Sequence, residues 1–396
     1  MSSIVIVNRY FWPETVLVND IATWLVEAGH EVEVITSQPS YNPEARLPKR
    51  PTREIWNGVT VRRISLLPER KRGLVRQLNN LLFCWCAALL VLFGRRHRVV
   101  WTTSIPPVLQ PLLLRIVTRL RGSQLIYFVQ DIYPEIAILM GMIKRGAFTG
   151  LITRLDNWTI SRADVVVTLS NDMADSIKAR GVVPRRLLHI NNFSAIESAV
   201  GLPRPAVDGP CRFVFAGNIG RFQHLEQTIE LFADIDPAEG RLELIGEGRL
   251  KQALEEKVLR DGIKSVFFHA YRPAIEAFEL IRDRDVGIVS LSPGLYAYAY
   301  PSKTFTYLAA GVPLLCFIEK QSELARYIEE RGIGVAVDWS VPRAQLLEAI
   351  QHVIVTHREM AQNLGEKRHD LYDRQAARLR WTALFDELLA TDRRPV

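Results

Sequence analysis

Short, wholly apolar runs alternate along this chain with stretches in which apolar positions recur at helical spacing. The first rhythm predicts strands buried on both faces, the second amphipathic helices. In the first half, strands are expected at Ile4–Val7, Glu31–Thr36, Val59–Ile64, Val99–Thr103, Gln124–Val129, Asp164–Leu169 and Leu187–Ile190. Helices are expected at Asn19–Ala28, stopped by Gly29, and at Val108–Leu120 and Thr149–Ser161. A further helix, capped by Ser170, runs to Arg180 and ends at Gly181. Asn57-Gly58 marks a turn.

The rhythm breaks at 201–210 (GLPRPAVDGP), which holds three Pro and two Gly and has no periodicity. A second alternating series follows. Its strands are Arg212–Ala216, Arg241–Ile245, Ser265–His269, Val286–Leu291, Val312–Phe317 and Gly334–Val337. Its helices lie near Leu225–Asp234, Arg249–Asp261, Ala274–Arg282, Ser302–Ala310, Ser322–Arg331 and Pro342–His357. The pattern predicts an α/β protein of two doubly wound, Rossmann-like domains, 1–200 and 211–374, joined by the linker 201–210. An amphipathic helix at 375–396 is expected to pack back on the first domain. The strand ends of two such domains leave a cleft, the expected place for a ligand.

Charge changes this picture by dividing the halves. Residues 1–200 carry 25 Lys and Arg against 15 Asp and Glu, the rest 25 against 28. The excess is densest from Arg46 to Arg76 and suits an anionic membrane or nucleic acid. Aromatic residues do not interleave with it, which disfavours nucleic acid. Directly after it, residues 77–94 (QLNNLLFCWCAALLVLFG) are uncharged, interrupted by Asn79 and Asn80. Two readings stay open: a buried helix, or one near Leu78–Phe93 lying in a membrane interface with Arg flanks on headgroups. The four cysteines make neither a disulfide framework nor a zinc site. Met1 leads straight into the first strand, so a cytoplasmic protein is expected.

Two segments carry candidate chemistry. Gly217-Asn218-Ile219-Gly220-Arg221 follows one predicted strand, and Tyr300-Pro301-Ser302-Lys303 opens a predicted helix, with Ala309-Ala310-Gly311 beyond. Each puts small residues, a helix start and a cation near a strand's carboxyl end, where backbone N–H groups and positive potential favour phosphate. Two such sites in one domain suggest a diphosphate. The alternative is plain surface cations, but a helix dipole opposes cations there, and that argues for an anion. Gly217 and Gly220 allow close backbone approach or simply a tight turn. Ser302 could donate to phosphate or cap its helix. Asp283-Arg284-Asp285 imitates a metal motif, but the two acids end a helix and begin a strand, so chance placement is the better reading.

In order and at these spacings, several motifs resemble retaining glycosyltransferases of family 4, with the two-domain GT-B fold. They are Tyr10-Phe11-Trp12-Pro13-Glu14, Gln130-Asp131-Ile132-Tyr133-Pro134-Glu135, the Gly217–Arg221 loop, Gly246-Glu247-Gly248 and Pro301-Ser302-Lys303. The resemblance is strongest to the branch that builds bacterial capsule, exopolysaccharide and O-antigen. It implies transfer of a hexose or amino-hexose from a nucleoside-diphosphate sugar to a lipid-linked glycan, at the inner face of the cell membrane. It also implies front-face attack, with the leaving phosphate helping to take the acceptor proton, and no metal or other cofactor. Arg221 and Lys303 would neutralise the leaving diphosphate. Gly217, Asn218, Gly220, Gly246, Glu247, Tyr271, Arg272, Ser302 and Thr306 would line the donor side. Asp131 would accept from a sugar hydroxyl, or cap the next turn. Gln130, Glu14 and Glu135 would serve the acceptor side.

Two departures stand out. The family's paired acids around the Pro-x-x loop are replaced, one by Thr306 and the other by Ala297 or Tyr298, and Glu14-Thr15-Val16 stands where many members have Gly-Gly. They leave room for a second reading: a catalytically weak GT-B protein acting as a membrane-associated binding or assembly partner. A dinucleotide oxidoreductase is disfavoured, since no Gly-x-Gly-x-x-Gly follows a strand with an acid at the right distance.

Overall fold

A computed structural model describes residues 3–40, 47–69, 73–196, 209–220, 223–366 and 373–390. The chain divides into two compact units, Met1–Asn191 with Gln375–Val396, and Asn192–Arg374.

Unit 1 is built from β1 (Ser3–Val7), α1 (Leu17–Glu27), β2 (Glu31–Ser37), β3 (Arg53–Trp56), β4 (Val59–Ile64), α2 (Leu74–Phe93) and β5 (Val99–Thr103). It continues with α3 (Leu109–Arg121), β6 (Gln124–Val129), α4 (Glu135–Leu139), α5 (Ala147–Arg162), β7 (Val165–Thr168), α6 (Asn171–Ala179) and β8 (Leu187–His189). The sheet runs β3-β4-β2-β1-β5-β6-β7-β8. All pairs are parallel except β3–β4. That hairpin turns at Asn57 and Gly58, both at positive φ, so the turn expected at Asn-Gly is present. Its first strand, β3, is not legible in the apolar pattern because it is a half-exposed edge strand. Ser170 accepts the Met173 N–H at 3.1 Å and starts α6 as expected.

Unit 2 contains β9 (Cys211–Ala216), α7 (Leu225–Ala233), β10 (Gly240–Ile245), α8 (Lys251–Arg260), β11 (Val266–His269), α9 (Ala274–Arg282), β12 (Val286–Ser290), α10 (Lys303–Ala309), β13 (Leu314–Phe317), α11 (Glu323–Glu330), β14 (Gly334–Val337) and α12 (Arg343–Glu366). Its six parallel strands take the order β11-β10-β9-β12-β13-β14. This is the Rossmann order, whose direction reverses between β9 and β12. Phe213, Phe215, Phe232 and Ile288 are fully buried in its core.

The last helix, α13 (Arg374–Ala390), packs on unit 1. Trp381 meets Trp101 of β5 and Phe128 of β6 edge-on at 5.5 and 5.1 Å. Arg186 pairs with Glu387.

The helix α2 is not the fully buried helix of the first expectation. It is 20 residues long and, by length and composition alone, apolar enough to cross a membrane. One side, Asn79, Phe83, Cys84, Ala87, Ala88 and Val91, is built into unit 1. The other side is solvent-exposed and apolar, with Leu74 and Phe93 at 84 and 80% exposure. The two asparagines thus face inward: Asn79 bonds the Leu67 backbone and Glu69, and Asn80 accepts from the buried Arg9.

Candidate active site

At the switch point of unit 2, β9 ends in Gly217 and the neighbouring β10 in Gly246, both at φ near +140°. A Cβ on Gly246 would lie 2.0 Å from the Gly217 carbonyl oxygen, and one on Gly248 2.1 Å from that of Ile219. Only glycine lets these loops touch backbone to backbone. Gly217 N–H donates to Ile245 O, and Ile219 N–H to Glu247 O, each at 2.9 Å. Gly246 and Gly248 are therefore required by loop packing. At Gly217, by contrast, nothing lies closer to a would-be Cβ than Lys303, whose Cε and Nζ are 3.9 and 4.0 Å away.

Lys303 is the first residue of α10. Its Nζ sits 3.5 Å from the centre of the Phe215 ring, is closed off from solvent and has no hydrogen-bond partner among the described residues. Burial pushes its pKa down to about 7. The helix is held by Tyr307, whose hydroxyl accepts the Ala216 N–H at 2.8 Å. The Tyr307 ring occupies the space that a side chain on Gly287 of β12 would fill. The signal for this contact in the sequence is the glycine inside an apolar strand, which marks a close approach.

Ser302 is exposed and its hydroxyl makes no capping bond, so the capping alternative does not hold. Thr306, one turn after Lys303, is half-buried. Glu247 is occupied: it pairs with Lys251 at 2.7 Å and accepts the Tyr271 N–H at 3.3 Å, tying the loops after β10 and β11 together. Tyr271 is half-exposed, and Arg272 lies 3.7 Å from Glu276. Asn218 is exposed, and Gly220 is buried beside it. Arg221 lies outside the described residues. Asp285 is held by Arg212, at 2.8 Å from its N–H and 3.2 Å from Nε, consistent with chance placement of the Asp-Arg-Asp triplet. Glu319, after β13, accepts the Gly294 N–H and so braces the loop that leads to Ser302.

In unit 1 the strand-end residues have different fates. Ser104, after β5, accepts the N–H groups of Gln130 and Asp131, both at 3.1 Å, and so fixes the turn after β6. Burial raises the Asp131 pKa to about 6. Glu135 is engaged by Arg180, which also holds Asp156 at 2.6 Å. Glu14 is 6% exposed and accepts the Ser40 N–H at 2.7 Å. Both acids thus have partners within the protein. The expected basic surface from Arg46 to Arg76 is also altered. Arg63 is buried against Glu54 and the Trp12 carbonyl, Arg50 lies over the Trp12 ring and pairs with Glu54, and Arg76 donates to the Tyr10 hydroxyl at 2.6 Å. Arg46, Arg70, Lys71 and Arg72 lie outside the described residues.

Each unit is an α/β sheet of Rossmann type, and that of unit 2 carries at its switch point a buried lysine with no hydrogen-bond partner among the described residues. Residues 15–192 match the glycosyl transferase 4-like domain. A probable glycosyltransferase of Pseudomonas aeruginosa, WbjE, is 29% identical over 68% of this chain and 68% of its own. A putative colanic acid biosynthesis glycosyl transferase of Escherichia coli, WcaI, is 24% identical over 89% of this chain and 91% of its own. The crystal structure of Anabaena HepE in complex with UDP superimposes with a TM-score of 0.69 at 13% identity, covering 98% of this chain and all of that one. The chain is a glycosyltransferase with the GT-B fold, and residues 15–192 carry a glycosyl transferase 4-like domain.

Proposed function

We propose that this enzyme moves a hexose or amino-hexose, with retention, from a nucleoside-diphosphate sugar to a lipid-linked glycan during synthesis of a bacterial surface polysaccharide, working on the cytoplasmic face of the membrane. The observation that carries the reading is Lys303: a buried ammonium with no hydrogen-bond partner among the described residues, beside a glycine, at the β9–β12 switch point. A buried charge without a counter-charge is costly, and a donor phosphate would supply that charge. The names of the relatives, a colanic acid transferase and a protein crystallised with UDP, support the same substrate class.

In this reading unit 2 holds the donor. Gly217 gives the diphosphate room to approach backbone, and Lys303, with Arg221, meets its charge in place of a metal ion. Asn218, Gly220, Ser302 and Thr306 line the same side, with Tyr271 and Arg272 toward the base. As the glycosidic bond breaks, the developing phosphate charge is stabilised by a cation already in position. The acceptor oxygen attacks from the same face, and its proton passes to the leaving phosphate. Unit 1 holds the acceptor, with Gln130 and Asp131, fixed by Ser104, hydrogen-bonding sugar hydroxyls. Thr306, where the family has an acid, favours the second reading of a weakly catalytic binding partner.

A thermal-shift screen against UDP, GDP, ADP, CMP and dTDP tests the reading, because a ligand specific for the folded state raises the midpoint. A shift with one nucleotide that Lys303→Ala abolishes is the expected result. No shift with any nucleotide would sink the donor-site proposal. Binding without turnover across a panel of donors and acceptors would establish the second reading.

A further inference from the structure

We infer that unit 1 docks on an anionic lipid bilayer through a face made jointly by α2, α3 and α5, not by α2 alone; this rests on the membrane-side reading above and deepens it. The steps β4→β5, β5→β6 and β6→β7 all run the same way across the sheet. Right-handed crossovers therefore put α2, α3 and α5 in one layer, and α3 packs against both its neighbours.

Each of the three helices turns apolar residues outward. On α2 these include Leu78, Leu81, Trp85 and Leu89, 46 to 54% exposed. On α3 they are Ile116 and Leu120. On α5 they are Phe148, Leu151, Leu155 and Trp158, spaced three, four and three residues apart, which is one stripe along a helix. The whole buried requirement of α5 is met on its other side, by Thr149, Asp156, Thr159 and Ile160. Soluble monomers rarely expose apolar surface continuously over neighbouring helices. Two outward indoles suit the interfacial region of a bilayer, where one end of the ring is apolar and the other wet.

Charge selects the occupant. Residues 73–162 contain eleven Lys and Arg and three Asp and Glu. Of the three acids, Glu135 and Asp156 are held by Arg180, and Asp131 lies at the end of β6. Arg119, Lys144, Arg145, Arg154 and Arg162 are exposed, with no carboxylate paired to them among the described residues. A second copy of the chain meeting this face would set like charge against like. An anionic bilayer answers both the apolar stripes and the basic residues beside them.

The test is sedimentation of the full chain with vesicles of phosphatidylcholine alone or with phosphatidylglycerol added. Three proteins are compared: wild type, an α2 pair (Leu81→Glu with Leu89→Glu) and an α5 pair (Leu151→Glu with Trp158→Glu). All four positions are exposed, and unchanged melting and nucleotide thermal shifts confirm intact folds. The expected result is wild-type binding that needs phosphatidylglycerol and that falls roughly tenfold or more in each pair. If the α5 pair binds like wild type, the joint face is wrong while a membrane role through α2 survives. Equal wild-type binding to neutral vesicles overturns the charge argument for this face. Failure of wild type to bind any vesicle removes both this inference and the membrane-side reading, but leaves the donor site untouched.

Discussion

The ends of the strands in the two units treat their charges in opposite ways. In unit 1, Glu14 and Glu135 are spent on an internal N–H and on Arg180. In unit 2, Lys303 meets, among the described residues, the face of Phe215 and no hydrogen-bond partner. All three stand near the carboxyl ends of parallel strands, so position alone does not separate structural charge from functional charge. Satisfaction does. A buried ionised group needs a partner, and one whose partner is not in the protein marks the place of a ligand.

The largest effect on the satisfied side is expected from Arg180→Ala. It leaves Asp156 and Glu135 without their cation, with Asp156 3% exposed, and should cost about 3–5 kcal/mol of stability. Chemical denaturation would measure the loss, and nucleotide thermal shifts of the surviving fold should persist. If the variant is as stable as wild type, the cluster is not structural and the comparison fails.

On the unsatisfied side, Lys303→Met should weaken nucleoside-diphosphate binding by about a hundredfold, the scale of a lost charge-assisted contact, while raising the melting temperature. The sign follows from linkage. The folded-state pKa of Lys303, about 7, lies below the ordinary value of 10.5. The unfolded chain binds more protons in that window, so this residue makes wild-type stability rise with pH from about 7 to 10.5. Lys303→Met should flatten that rise, and a melting series across pH detects it. Loss of stability in this variant would show that the lysine is structurally satisfied after all.

Asp131→Asn should lower turnover by about tenfold, within the range for a group that assists proton or hydroxyl positioning, with donor binding unchanged. Wild-type kcat should fall as pH drops through about 6, where the carboxylate raised by burial takes its proton. A flat profile in that range would remove Asp131 from the chemistry. The smallest effect concerns binding. A phosphate raises the Lys303 pKa, so binding takes up a proton, and diphosphate affinity should decline as pH rises above 7 by at most about tenfold per unit. Calorimetry in buffers of different ionisation heat would count that proton.

Much of the fold was legible in the chain. All six strands of unit 2 lie within a residue or two of where the apolar runs put them, because strands largely buried in a parallel sheet show mainly apolar side chains. The edge strand β3 and the short helix α4 were not legible, being half-exposed or too brief to display a period. Of the candidate site, the glycines and Lys303 were readable from their place between strand and helix. The support from Tyr307 through Gly287, and from Ser104 to Asp131, was not, since those contacts join residues on different elements and loops.

The sequence by itself determined the order of strands and helices, the turn at Asn57-Gly58 and the uneven charge of the two halves, because these follow from local composition and period; residues 201–208 of the expected linker lie outside the described residues. Only the tertiary structure decided where each charge is spent and which side of α2 faces water. Asn79 and Asn80 look like interruptions of an apolar helix until Arg9 and Glu69, brought from elsewhere in the chain, give them partners inside. Arg186 finds Glu387 across 201 residues. No local pattern encodes such pairs, since a side chain's partner is set by which elements the sheet brings together.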